Sequence, residues 1–458
     1  AIAPTAPTIT SITDDAAPIT GTIAPGGSTN DTSLLLTGSA EAASTVSIYN
    51  GSRLLGTTPA DNTSGAWSYT LSDLSNGSTY AFNATATDAV GNISPASSPE
   101  YSVTVDTTAP TAPTITSITD DAAPITGTIA PGGSTNDTSL DLTGSAETAS
   151  TVSIYNGSTL LGTTTADTTT GAWSYSATGL ANGSTYAFNA TATDAPGNIS
   201  PASSPNYSVT VDTAAPAAPS ITSITDDAAP STGTIAPGGF TNDTSLLLTG
   251  TAEAASTVSI YNGSELLGTT TADNTGAWSY TANLSNGTTT YAFNATATDA
   301  PGNISPASSP NYSVTVDTTA PAAPTITSIS DDAEPITGTI TPGGFTNDTS
   351  LLLTGSAEAA SSVSIYNGST LLGTTTADNT TGAWSYSTTG LLGGSTYVFK
   401  AKATDAAGNI SPASSPNYSV TVDTTAPATQ PSPRLPMTPN PSPAPSPMVV
   451  SQTTPLSI

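Results

Sequence analysis

The sequence has no cysteine, no histidine, and only four Lys and Arg together against 33 Asp and Glu. Without Cys or His there is no Ser-His-Asp triad, no thiolate nucleophile and no zinc site of the usual kind. The formal charge of -29 excludes phosphate-backbone binding, which needs clustered cations. It equally disfavours anionic membrane surfaces. No run of about 18 apolar residues occurs, so no membrane-spanning helix is expected. Carboxylate-only catalysis remains open in principle, but the acids sit at repeating positions, and a four-fold repeated active site is not expected. The chain is read as a non-enzyme. It begins at Ala1 without Met or a signal peptide, as a mature product or an excised fragment would.

What is present is a repeat. The Asp-Asp pair recurs at Asp14, Asp120, Asp226 and Asp331, and the only Trp residues are Trp67, Trp173, Trp278 and Trp384. A Val-Asp-Thr junction recurs at Asp106, Asp212, Asp317 and Asp423. The period of 105 or 106 residues divides the chain into modules at 1–106, 107–212, 213–317 and 318–423. Their formal charges are -8, -8, -8 and -6, so acidity belongs to the module. Residues 424–458 differ: they are Pro-rich, lack acids and carry Arg434. They are expected to be a disordered tail or polyproline-type linker. Within it Leu435-Pro436-Met437-Thr438-Pro439 has Pro where a sortase signal has Gly, and is read as coincidence.

Each module reads as short strands between turn signals such as Asn50-Gly51. In the first, strands are expected at 8–12, 34–37, 45–49, 54–57, 66–71, 80–87 and 101–105. Leu34 and Leu36 should face inward and Leu35 outward, in agreement with Asp141 at the Leu35 position of module 2. Tyr80, Phe82, Ala84 and Ala86 share one face, and Ala81, Asn83, Thr85 and Thr87 the other. Helical periodicity is missing. About seven strands in about 100 residues imply an all-β fold, a tandem array of four immunoglobulin-like Greek-key sandwiches. The Trp residues, in period-2 alternation with Tyr69 and Leu71, are expected in the core rather than on a carbohydrate platform. Asn-x-Ser/Thr sequons at Asn50, Asn76, Asn83 and Asn92 are read as turn chemistry.

The ordered motifs Asp14-Asp15, Gly26-Gly27-Ser28-Thr29-Asn30-Asp31, Leu36-Thr37-Gly38-Ser39-Ala40-Glu41, Val46-Ser47-Ile48-Tyr49-Asn50-Gly51, Gly65-Ala66-Trp67-Ser68-Tyr69 and Asp88-Ala89-Val90-Gly91-Asn92-Ile93-Ser94 recur in every module with few changes. This set resembles the bacterial Ig-like repeats of large surface adhesins and biofilm-associated proteins over residues 1–423. The resemblance implies extracellular extender domains, often rigidified by calcium.

Following the chain through such a sandwich places Asp14, Asp15, Asp31 and Asp106 at the C-terminal pole of module 1. The loop with Asp194 and Asn198 falls at the N-terminal pole of module 2. The next junctions would combine Asp120, Asp121, Asp137 and Asp212 with Asp299 and Asn303, and Asp226, Asp227, Asp243 and Asp317 with Asp405 and Asn409. Calcium takes 6–8 oxygen ligands, so these clusters are candidate structural Ca2+ sites. The competing reading is turn chemistry, since Asp and Asn stabilise turns through their own backbone.

The expected function is a calcium-stiffened stalk of a cell-surface adhesin: extracellular, elongated and monomeric. It would meet its surface or matrix ligand through other parts of the parent protein, with no nucleic acid and no membrane insertion. The alternatives are an array of weak glycan- or protein-binding modules acting by avidity, or accessory modules of a secreted enzyme.

Overall fold

In the computed structural model, which describes residues 2–430, the first module has nine strands: β1 (Thr8–Asp14), β2 (Gly21–Ile23), β3 (Gly27–Thr29), β4 (Leu34–Ser39), β5 (Thr45–Asn50), β6 (Arg53–Pro59), β7 (Ala66–Leu71), β8 (Ser78–Thr87) and β9 (Tyr101–Val105). The pattern repeats in each later module, and no helix occurs among the described residues. Three modules lie in one compact unit, Ala1–Asp317, and the fourth in a second, Thr318–Ile458. Of the Pro-rich segment, residues 431–458 lie outside the described residues.

Each module is two sheets face to face. One has the order β2-β1-β4-β7; the other has β3-β9-β8-β5-β6, with β3 parallel to β9 and the remaining pairs antiparallel. Residue alternation sets the faces. Leu34 and Leu36 are fully buried while Leu35 between them is 40% exposed. Phe82, Ala84 and Ala86 meet Val103, Val105, Ile12, Val46, Ile48 and Trp67 in one core cluster. Trp67, Trp173, Trp278 and Trp384 are each 4% exposed. Burying one large aromatic between sheets removes more apolar surface from water than any other single side chain here.

Two features depart from the sequence reading. The short β2 and β3 were not expected: their Gly- and Pro-rich sequence carries no alternation, and they exist because β1 and β9 offer free edges to pair with. Asn83, assigned to the outer face, is buried, because its amide donates to Gly51 O at 2.9 Å and to Glu100 Oε1 at 3.1 Å beneath the β5–β6 turn. In β1 a register shift between Ile9 and Ser11 turns Thr10 outward. There its hydroxyl donates to Thr37 O at 3.1 Å.

Gly38 shows how tightly the sheet edge is packed. A Cβ there would lie 2.0 Å from Thr8 O and 2.5 Å from Trp67 Cζ2. The indole fits because position 38 has no side chain.

Candidate functional site at the module junctions

Residues 1–317 contain two module junctions. At the C-terminal pole of module 1 the end of β1 and the β3–β4 connection are tied by buried carboxylates. Asp14 Oδ2 accepts the Thr29 hydroxyl at 2.6 Å, and Asp14 Oδ1 accepts Ala16 N at 2.8 Å. Thr29 Oγ1 accepts Asp31 N at 3.0 Å, while Asp31 Oδ2 and Oδ1 accept Asp15 N at 3.1 Å and Ser33 N at 2.7 Å. Both carboxylates are buried, and both of their oxygens are satisfied. Asp120 with Asp137, Asp226 with Asp243, and Asp331 with Asp348 repeat this network through Thr135, Thr241 and Thr346. Asp15, Asp121 and Asp227 are exposed, each giving its main-chain N–H to the second buried carboxylate.

The facing pole is the loop after β8. In module 2, Asp194 Oδ1 accepts Gly197 N at 2.9 Å and Asn198 N at 2.7 Å, and Asp194 Oδ2 accepts the Asn198 amide at 2.9 Å. The same carboxylate–amide pairing occurs in Asp299–Asn303, Asp405–Asn409 and Asp88–Asn92. The Asn92 side-chain amide, followed by main-chain donors, holds the Asp88 carboxyl below its ordinary value despite opposing desolvation.

The loop seats directly on the preceding pole. The Asn198 amide donates to the main-chain carbonyl of Asp106 at 2.8 Å, and the Asn303 amide to that of Asp212 at 2.8 Å. At the second junction Asn136 N also donates to Pro301 O at 3.2 Å. Gly197 has φ of 105°, a conformation that side-chain-bearing residues rarely take. Its Cβ position would be 3.4 Å from Pro18 Cδ, Ile19 Cγ1 and Asn30 Nδ2 of module 1. Gly302 meets Pro124, Ile125 and Asn136 in the same way. Pro196 and Pro301 are buried, whereas Val90, their equivalent in module 1, is 75% exposed.

Of the candidate metal ligands, then, the fold joins Asp106 to Asn198 and Asp212 to Asn303 through carbonyl and amide. It keeps Asp14, Asp31, Asp120, Asp137, Asp226 and Asp243 inside their own poles. Asp317 Oδ1 accepts the Thr288 hydroxyl at 2.9 Å. No group of three or more Asp or Glu is gathered among the described residues. The buried oxygens left without a donor at the two junctions are Asn30 Oδ1 and Asn136 Oδ1. One such oxygen apiece is far from the six to eight that calcium takes. The donor set as folded does not fit a calcium cage, because its carboxylate oxygens already accept protein N–H and O–H groups. The apolar seat formed by Pro18 and Ile19 was missed from the sequence. Its one visible signal was Pro196 and Pro301 in otherwise polar loops.

Four stretches of the chain, 5–107, 111–213, 218–318 and 322–424, match the family model described as Bacterial Ig-like domain. The chain belongs to the bacterial Ig-like domain family. It is 31% identical over 327 residues to Exoglucanase B of Cellulomonas fimi, covering 68% of this chain and 25% of that protein. It is 33% identical over 315 residues to Exoglucanase A of the same organism, covering 65% and 32%. It thus spans a quarter to a third of these relatives. Solved structures it resembles include the BSP domain of a biofilm-associated protein, at 12% identity and TM-score 0.16 over 93% of this chain and 97% of that one. Domains A168–A170 of titin align at 12% identity and TM-score 0.27 over 68% and 99%.

Proposed function

We propose that this chain is a non-catalytic spacer from an extracellular or cell-surface protein, an adhesin stalk whose modules hold a distal binding domain away from its anchor. The observation that carries this reading is the direct seating of each loop on the preceding pole, at both junctions of residues 1–317 and through equivalent residues. A spacer needs junctions that resist bending, and a hydrogen-bonded contact with Pro and Gly packed beneath it supplies resistance without any ligand. Near-identity of the modules favours the same reading: length needs repetition, whereas recognition uses differentiated loops. The likeness to two exoglucanases over a minor part of their length favours a second reading, in which the modules are accessory spacers of a secreted enzyme. The mechanical role is the same in both.

Calcium, which the family resemblance implies, is a rival source of stiffness. It would have to displace the hydrogen bonds of the poles. The absence of Cys allows a clean test. Spin labels on Ser52→Cys and Ser158→Cys, equivalent exposed turns of modules 1 and 2, report the inter-module distance by electron–electron resonance. One narrow distribution in chelator, unchanged by millimolar calcium, is expected. A distribution broad in chelator and narrow in calcium would assign the stiffness to the cation. A broad distribution in both would overturn the spacer reading.

A further inference from the structure

The open side of each sandwich, where edge strand β6 passes edge strand β7, holds a cleft that the spacer role does not use. In module 1 its volume is about 530 Å3, and its walls include Thr10, Thr37, Thr58, Asp61, Trp67 and Ser68. Modules 3 and 4 repeat it with the same residue types at about 540 and 640 Å3, around Trp278 and Trp384. Module 2 has those types too, at Thr116, Thr143, Thr164, Asp167, Trp173 and Ser174.

Two observations mark this cleft as more than a surface dent. The first is the indole. All four Trp Nε1–H groups are buried without a hydrogen-bond partner, although native folds pair nearly all buried donors. In module 1 the Cε2 edge of the ring, which carries Nε1, lies over Gly38, itself part of the cleft wall. An accident would not recur in four modules. The second is the rim carboxylate. Asp61 Oδ1 accepts Thr63 N at 3.0 Å, Ser64 N at 2.7 Å and the Ser64 hydroxyl at 2.8 Å. These bonds keep the group ionised, lowering its pKa with Ser64 N as the largest cause. They also fix its direction while engaging only one of its two oxygens. Asp167, Asp273 and Asp378 are held likewise.

The geometry points to a binding cleft for a neutral oligosaccharide in each module, with Thr hydroxyls and the Asp carboxylate meeting sugar hydroxyls and the indole N–H donating to a sugar oxygen. The wall offers a carboxylate acceptor, hydroxyls of both kinds and a donor, so its ligand must donate and accept repeatedly. No Lys or Arg lines the cleft and the chain carries -29, which disfavours uronates, phosphates and acidic peptides. Since the rings are 4% exposed, contact runs through the indole edge and not by stacking on its face. Four weak sites on one chain would add through avidity. This goes beyond the spacer reading and does not depend on it.

The four Trp residues make the test direct, because the 15N-labelled full chain gives one indole N–H resonance per module. Titration with cellohexaose, maltohexaose and laminarihexaose should shift all four indoles together, with millimolar dissociation constants for at least one sugar. Thr58→Val and, separately, Asp61→Ala should weaken the response of Trp67 about tenfold and leave the other three unchanged. Those three also show that the variant chain is folded. No indole shift at about 20 mM of any of the three sugars, a level well above millimolar affinity, would overturn the proposal. So would a Trp67 response indifferent to both substitutions. Shifts produced by the peptide Tyr-Ser-Val-Thr-Val but by no sugar would assign the edge to strand addition instead, and would equally overturn it.

Discussion

Replacing Asn198 by Ala removes the side chain that joins module 2 to module 1. Its amide makes two bonds, one to Asp194 Oδ2 within its own loop and one to the Asp106 carbonyl across the junction. Only the second distinguishes a closed junction from an open one, in which water would solvate that carbonyl. A neutral hydrogen bond contributes about 1 kcal/mol net, so the ratio of open to closed junction should rise about five-fold, since about 1.4 kcal/mol is a factor of ten. Module 1 provides the control. Asn92 makes the same loop bond, to Asp88 Oδ2 at 2.6 Å, on a pole whose neighbouring Val90 is exposed. Spin labels on Ser52→Cys and Ser158→Cys should show a broadened distance distribution in Asn198→Ala and an unchanged one in Asn92→Ala. If Asn198→Ala leaves the distribution unchanged, or Asn92→Ala broadens it equally, the seated-loop account of stiffness is refuted.

Three further outcomes are expected. Gly144→Ala should destabilise module 2 by about 2–3 kcal/mol through overpacking, because the new Cβ would fall 1.9 Å from Thr114 O and 2.4 Å from Trp173 Cζ2; thermal unfolding followed by Trp173 fluorescence measures it. Thr29→Val removes the hydroxyl that bridges Asp14 and Asp31 N and leaves a buried carboxylate oxygen unpaired; a loss of about 2–3 kcal/mol should appear in denaturant melts of the chain as an early transition. Asp61, Asp167, Asp273 and Asp378 have carboxyls held below the ordinary 3.8 by turn hydrogen bonds, led by main-chain or side-chain donors of Ser64, Thr170, Thr275 and Thr381. A depressed folded pKa stabilises the fold above the unfolded value, and that stability is lost as pH falls through the folded value. Melting temperature should therefore decline below pH 3.8. With no His in the chain it should stay flat from about pH 5 to 8, and a marked slope in that range would contradict the assignment.

The repeat count, the all-β sandwich and the inward faces were legible in the sequence because they rest on local periodicity. Leu34 and Leu36 inside with Leu35 outside, and a buried Trp in every module, follow from alternation at period two and from the size of the indole. The fate of the loops was not legible in this way. Asp14 and Asp31 look like ligands in a list of acids, yet Thr29 and nearby main-chain donors, brought to them by strand pairing, occupy their oxygens. Asn198 meets Asp106, 92 residues earlier, because the loop after β8 in one module faces the end of β9 in the module before. The burial of Asn83 and the unpartnered indole N–H groups likewise arise where separate segments converge. Alternation along a strand is written in neighbouring residues. A polar side chain's partner is set by whatever distant backbone the fold delivers to it, and only the tertiary structure decides that.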